Sequence, residues 1–600
     1  MDQPIDRRAA FKAALAVGLA GTGGAASAAS EPSPTPVAAP SRGRLTLDMV
    51  QPNPGQPPPQ TAYLDPAFLR ARSYGAVVIE HAIEGTATFD AYDPGLIPKD
   101  SDEARLAGRL RGEIAARIAA AKSQGLAAYA WVQYLVLPKR LLARHGAAMV
   151  DAAGRIDLAR PATQAVVAAF TRELLFTFPN LDGLVVRTGE IYLQDLPYHA
   201  ARVAAPGAGA EDAIQAATAI IHGEQSHLAL LSVLRQEVCV AAGRRLIYRT
   251  WDFGDNFHNN VRYYLGVTDR IEPHPGLSFS IKHQRGDFHR LTAFNPTLGR
   301  GRHPQIVEAQ CQLEAYGKGA HPYYVARGVI EGWEEMAWLE PAGAAQGLRD
   351  LAASPQWAGL WTWSRGGGWD GPEIQDELWC DLNAFVLSGF ARDPARSEAS
   401  LFEQYGREVL GLSGGDTGLL RELCLASAAA VLRGQLSDLG AQIDLWWARD
   451  DTLSEPRLTD FVDKGLTEAA IAEKQTAVAM WSDIAQRMGQ VRFSTPRRQT
   501  FAEVSARYGQ FKYSIIAAAW TALLLAEAGG RDGGVFETAR IAAAVADYDR
   551  LWVQWRALAA SQPQCSTLPR PIARGGGPGL GAAMDRLRAR FGSGRPMLGA

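Results

Sequence analysis

The chain has 600 residues, 47% of them apolar and 21% charged, with 61 Lys+Arg against 63 Asp+Glu for a formal net charge of −2. Such a composition buries sizeable cores and excludes disorder over most of the length, and the balanced charge with no long basic run gives no electrostatic reason for a nucleic-acid or anionic-membrane partner. Cys239, Cys311, Cys380, Cys424 and Cys565 are too scattered for a CxxC zinc pattern or a disulfide framework and read as buried thiols.

Residues 1–29 read as a twin-arginine export signal: Arg7-Arg8-Ala9-Ala10-Phe11-Lys12, a small-residue apolar run, then Ala26-Ser27-Ala28 as the cleavage site. The run from Ala13 to Ala20 is far shorter than the ~20 residues a membrane span needs, so no span is expected. Residues 30–43 form a Pro/Ser linker that stays extended. The working protein is then periplasmic or secreted.

From 44 to 395 short apolar runs alternate with helical patterns, the signature of βα units around a parallel sheet. The predicted strands are Leu45–Val50, Ala76–Glu80, Ala127–Tyr134, Gly183–Arg187, Leu246–Thr250, Leu277–Lys282, Ile306–Gln310 and Gly359–Trp363. Helices are predicted at Glu103–Ser123, with Leu106, Leu110, Ile114 and Ile118 spaced four apart, and at Pro161–Thr177 and Glu211–Ala242. Eight such units fit an α/β fold of the (β/α)8 TIM-barrel type. No strand leads into a GxGxxG or Walker-type loop, so no nucleotide cofactor is expected. From 396 to 600 the pattern becomes an all-helical C-terminal domain, with segments Glu398–Leu412, Leu419–Ala441, Thr467–Met488, Phe501–Ala528 and Glu537–Ala560. Trp446 and Trp447 read as helix-packing core, and Arg574–Gly581 as a loop.

In a (β/α)8 barrel the active site lies at the C-terminal ends of the strands, so the polar residues closing each strand are the candidates. Strand four ends with Arg187 and Glu190; strand five with Arg249, Trp251 and Asp252; strand six with Lys282, His283 and Asp287; strand seven with Glu308 and Glu314. Like charges converging in one mouth push their pKa values apart, supplying a protonated acid and an ionised base at neutral pH, as glycosidic bond hydrolysis requires. The interleaved Arg187, Arg249 and Lys282 either stabilise those carboxylates or bind an anionic group of the substrate.

The six-residue run from Lys282 to Asp287, followed by Phe288, and the set Glu308, Gln310, Glu314 and Gly317 recur at family spacing, with Tyr316 displaced by one. Arg249 stands on strand five, and Trp369, Asn383 and Asp393-Pro394 lead into the helical domain. In these residues the chain resembles the catalytic barrel of the family 67 glycoside hydrolases, the α-glucuronidases. The resemblance implies an inverting exo-hydrolase that removes glucuronic acid, or its 4-O-methyl ether, from xylan-type oligosaccharides. It makes Glu190 the general acid, has Asp287 and Glu314 orient and deprotonate the water, and has Arg249 and Lys282 hold the sugar carboxylate. It also implies a homodimer through the helical domain. The chain departs from the family at strand four, where Arg187-Thr188-Gly189-Glu190 replaces the family's Lys and Asn-Ser-Glu-Gly. No counterpart of the family's N-terminal β-sandwich is read before strand one.

Two other readings remain. Six of the eleven histidines (His258, His274, His283, His289, His303, His321) fall in one window, as in a metal-dependent hydrolase, yet strand one lacks HxH and no HExxH occurs. Imidazoles in a sugar site instead donate hydrogen bonds to hydroxyls, and no metal is expected. A non-catalytic carbohydrate-binding barrel would keep Trp251, Trp361, Trp363 and Trp369 for stacking on sugar faces without the carboxylate trio. A hydrolase of a different acidic glycan also fits.

Overall fold

The computed structural model describes residues 44–51, 60–152, 154–189, 196–200, 221, 223–251, 257–312, 319–366, 376–445, 447–448, 452–563 and 579–592. The signal and linker readings, and Glu190, Asp252, Glu314 and Trp369, lie outside the described residues.

Eight parallel strands close into a barrel. They are β1 (Leu45–Gln51), β2 (Ala76–Ile79), β3 (Ala127–Val132), β4 (Gly183–Val186), β5 (Arg245–Arg249), β6 (Leu277–Lys282), β7 (Gln305–Gln310) and β8 (Trp357–Gly366). Their hydrogen-bonded order is β1-β8-β7-β6-β5-β4-β3-β2, with β1 returning to β2. Each strand is an apolar run because both faces are covered, one by the barrel interior and the other by helices. On β6, for example, Phe279 and Ile281 face the helix layer, where Phe279 meets Tyr248, Tyr264 and His303 edge-on. The alternating Ser280 and Lys282 therefore face inward. The strand ends differ from the sequence reading by one to three residues: Glu80, Arg187 and Thr250 fall just past their strands, and β8 runs three residues further.

The helix Asp102–Ser123 shows how the outer layer forms. Ser101 caps it by accepting from the Ala104 amide, Asp102 and Glu103 sit in its first turn, and Leu106, Leu110, Ile114 and Ile118 are its buried stripe. The segment expected over Glu211–Ala242 is helical at Gly223–Leu234 and continues as a wider π turn over Arg235–Ala241; residues 211–220 and 222 lie outside the described set. Helix Leu378–Arg392 follows β8 and closes the barrel's outer wall.

Helices then take over. Glu398–Gln404 widens into a π turn at Tyr405–Val409 instead of running to Leu412. Ser413 caps Gly414–Gln435, which starts five residues before and stops six before the expected ends. Thr467–Met488 stands as read, and Pro496–Arg531 extends beyond Phe501–Ala528 because Thr495 caps it and Pro496 occupies its first turn. Thr538–Ser561 and Leu580–Phe591 complete the set, so Leu580 and Gly581 begin a helix where a loop was expected. By length and composition Pro496–Arg531 is apolar enough to cross a membrane, but 61% of that window is buried inside the protein. Trp447 is buried and packs on Trp520 at 5.8 Å, and its indole N–H donates to the Gln435 carbonyl. Cys239, Cys311, Cys380 and Cys424 are buried free thiols; Cys565 lies outside the described residues.

Candidate active site

The top of the barrel interior can be identified from rings that meet across it. Trp361 and Trp363, two apart on β8, stack at 5.6 Å, and Trp131 of β3 meets both edge-on at 5.5 and 6.4 Å. Two strands separate β3 from β8, so these indoles touch through the interior. The guanidinium of Arg249, from β5, lies 5.1 Å over Trp131 and 5.1 Å over Trp363, and that of Arg187 lies 5.4 Å over Trp131. Cations on aromatic faces, shielded from water, interact more strongly than at a surface.

Arg249 spends its fork on Glu308: Nε and Nη2 each donate over 2.7 Å to the two carboxylate oxygens, and Ser280 Oγ adds a third bond. Register places Glu308 beside Lys282 and Trp361. Burial presses the Glu308 carboxyl upward, but the Arg249 charge and the hydrogen bonds outweigh it and hold the group below its ordinary value. The fork that the resemblance assigns to a sugar carboxylate is thus filled from within the protein.

Lys282 Nζ donates to Asp287 Oδ1 over 2.6 Å, 3.5 Å above the Trp251 ring and 4.8 Å from Phe288. Burial acts to raise the Asp287 carboxyl, yet Lys282, His289 and the Phe288 N–H carry it down to about 2. Asp287 is therefore ionised at any physiological pH. His283 stacks on Phe288 with Nδ1 3.3 Å from the Glu308 carbonyl oxygen, and burial pushes it down to about 4, so it is neutral. The structure brings together Arg187, Arg249, Lys282, His283, Asp287, Glu308, Trp251 and Trp363. Glu190 and Glu314 lie outside the described residues.

Several residues of this wall escape a reading of strand ends in sequence. Gln310 lies in register with Trp363 and shares its inward face. Its Oε1, both amide atoms of the buried Gln312, and His283 Nε2 have no hydrogen-bond partner among the described residues. A buried polar atom left unpaired costs about 1–3 kcal/mol, so this concentration suits a polyhydroxylated ligand that would pair them. Glu80, just past β2, and Glu84, in the following turn, add two carboxyls. Burial pushes Glu80 up to about 7 against Arg187 and Arg117, and Glu84 up to about 8 against the Gln133 amide. Glu80 closes the second predicted strand, which was the available signal.

Elsewhere, His258 lies within hydrogen-bonding distance of Thr250 and the Gln284 carbonyl, and His303 of the Thr268 carbonyl. Among the described residues no group of three or more His, Cys, Asp or Glu is placed to hold a metal ion. Asp48, raised to about 7 by burial, bonds Thr362 and Ser364 on the outer face of β8 and takes no part in the mouth.

No protein-family model and no curated protein matches this chain. Among solved structures it is similar to a GH138 enzyme targeting pectin rhamnogalacturonan II, at 11% identity and TM-score 0.48, over 88% of this chain and 62% of that one. It is similar also to a Thermobaculum terrenum O-GlcNAc hydrolase, at 9% identity and TM-score 0.38, over 92% and 94% of the two chains. A Flavobacterium johnsoniae chitobiase gives 11% identity and TM-score 0.29, over 84% and 74%. These neighbours are glycoside hydrolases. The chain spans less than two thirds of the length of the first.

Proposed function

We propose that this protein is an exported glycoside hydrolase that removes a terminal uronic acid from an acidic glycan. The form implied by the family resemblance is an inverting, exo-acting α-glucuronidase that takes glucuronic acid or its 4-O-methyl ether from xylan-type oligosaccharides. One observation carries the reading: carboxyls of opposite protonation state, Asp287 at about 2 and Glu80 at about 7, share a mouth lined by aromatic rings and unpaired polar groups. That separation is the division into base and acid that glycoside hydrolysis uses.

The cations of the mouth suit the anionic substrate that the family resemblance implies. Among the described residues the interior wall carries Arg187, Arg249 and Lys282 against the ionised Glu308 and Asp287, while Glu80 holds its proton below about pH 7. A charge-assisted hydrogen bond contributes roughly 1.5–3 kcal/mol, so neutral glycosides of the same shape should turn over one to two orders of magnitude more slowly. The test is a panel of aldouronic acids, other uronic-acid oligosaccharides and rhamnogalacturonan II fragments, with neutral α-glucosides as controls and products followed by proton NMR before mutarotation. Preference for the acidic member and a first-formed β-anomer from an α-glucuronide are expected. Equal turnover of glucoside and glucuronide would refute the acidic-sugar reading, and an α-anomer formed first would refute inversion.

A further inference from the structure

Glu80 occupies a position that no structural role explains. The pairing of β2 with β3 runs from Ala76 opposite Ala127 to Ile79 opposite Ala130, which carries Glu80 level with Trp131. Residues level on neighbouring parallel strands share a face, so Glu80 belongs to the interior wall with Trp131 and Arg187. Its Oε2 is shut from solvent and has no hydrogen-bond partner among the described residues. Around it stand Arg187 from the end of β4, Arg117 from helix Asp102–Ser123 and Glu84 from the turn after β2. The adjacent His81 is turned to Glu113 on that helix, 2.6 Å away. Both arginines act on the carboxyl through their charge, yet neither donates a hydrogen bond to Oε2, so this buried oxygen calls for an explanation.

Its place in the ring completes the picture. In the closed strand order, four steps separate β2 from β6 in either direction, so Glu80 and the Lys282–Asp287 pair stand on opposite walls of the mouth. Inverting hydrolases hold acid and base about 6.5–9.5 Å apart and bring them to opposite faces of the sugar, an arrangement that calls for carboxyls on opposed walls. We propose that Glu80 is the proton donor to the leaving oxygen, acting across the mouth from a water held by Asp287. The inference rests on the hydrolase reading above and gives Glu80 the role that the resemblance gives Glu190. In the step, the Glu80 O–H proton passes to the glycosidic oxygen as its bond to the anomeric carbon breaks. The water oxygen forms the new bond to that carbon, and a water proton passes to Asp287. Exchange of both protons with solvent resets the site. Burial, which pushes Glu80 up to about 7, keeps the donor loaded below neutral pH.

The experiment compares wild type, Glu80→Gln, Glu80→Asp and Glu190→Gln on two uronides, one with a sugar leaving group and one with an activated aryl leaving group that departs without protonation. General acid catalysis contributes 10²–10⁴-fold. Glu80→Gln should lose about that factor in kcat on the sugar-linked substrate and less than about tenfold on the aryl one. It should also lose the decline of kcat/KM as pH rises through about 7, whereas Glu80→Asp keeps part of the activity and a displaced decline. Should Glu80→Gln fail to fold, as judged by circular dichroism, the displaced decline in Glu80→Asp decides. An unchanged pH profile in the Glu80 variants, or leaving-group dependence in Glu190→Gln alone, overturns the assignment and leaves the hydrolase reading standing. Wild type inactive on every acidic glycoside overturns that reading, and this inference falls with it.

Discussion

Asp287 shows how much one side chain owes to its neighbours. Alone, its burial would favour the neutral acid; with Lys282 Nζ at 2.6 Å it stays ionised down to about pH 2. Because the folded value lies below the unfolded value of 3.8, the stabilisation is fully present above about pH 4 and is lost as pH falls through about 2. At 1.36 kcal/mol per unit this amounts to about 2–3 kcal/mol. Asp287→Asn should therefore abolish hydrolysis while sparing sugar binding. It should also be less stable than wild type at neutral pH, by a margin that shrinks between pH 4 and 2, as urea denaturation at several pH values will show. Normal turnover, or a pH-independent margin, contradicts the role. Asp287 was picked out in the sequence as a carboxylate closing strand six at the family's spacing from Lys282, and the structure pairs the two. Glu80 closes a predicted strand too, but a glutamate at a strand end usually finds an arginine, and only the folded ring shows that its Oε2 has no hydrogen-bond partner among the described residues.

At the scale of elements, the strands were legible because each is a short apolar run between helical patterns, and the helix Thr467–Met488 because it carries one buried stripe. Leu378–Arg392 escaped for the opposite reason: it is buried almost all round, so its sequence has no polar face to set a 3.6-residue contrast. Caps moved other boundaries, Ser413 and Thr495 each starting a helix about one turn early. Barrel closure depends on a detail that apolar patterning does not show. A Cβ on Gly183, at the start of β4, would lie 2.0 Å from the Arg245 carbonyl oxygen of β5, whereas one on Gly108, inside helix Asp102–Ser123, would meet nothing within 4 Å. Gly183→Ala must part the two strands that carry Arg187 and Arg249 to the mouth, and should cost about 3 kcal/mol or more. Gly108→Ala should gain about 0.5–1 kcal/mol from helix entropy. Thermal melts of the two variants give opposite shifts; a neutral Gly183→Ala would mean that the strands are not so close.

At the scale of the whole molecule, the helices are built onto the C-terminal face of the barrel, through contacts between residues up to 192 positions apart that no local pattern encodes. In the segment following β7, His321 is buried among Trp481, Tyr508 and Tyr513, with Lys512 Nζ 3.5 Å from its Nε2. Tyr324 donates to Glu398 over 2.5 Å. From the loop after β6, three residues past Asp287, Arg290 forks onto Glu335 at 3.0 Å twice and donates to the Ala428 carbonyl in helix Gly414–Gln435. These groups are buried, so parting helices from barrel would strand charges and polar atoms without water, at several kcal/mol each. The two parts should therefore unfold together, unlike loosely docked domains that melt independently. Far-UV circular dichroism, dominated by the helices, and calorimetry of the whole chain should report one transition at one temperature. Arg290→Met, which leaves the Glu335 carboxylate buried and unpaired, should lower that transition as a unit and destabilise by about 3–5 kcal/mol. Two resolved transitions, or a variant that shifts only one of them, would show that the helical region is a separate body and that its buried contacts do not support the site.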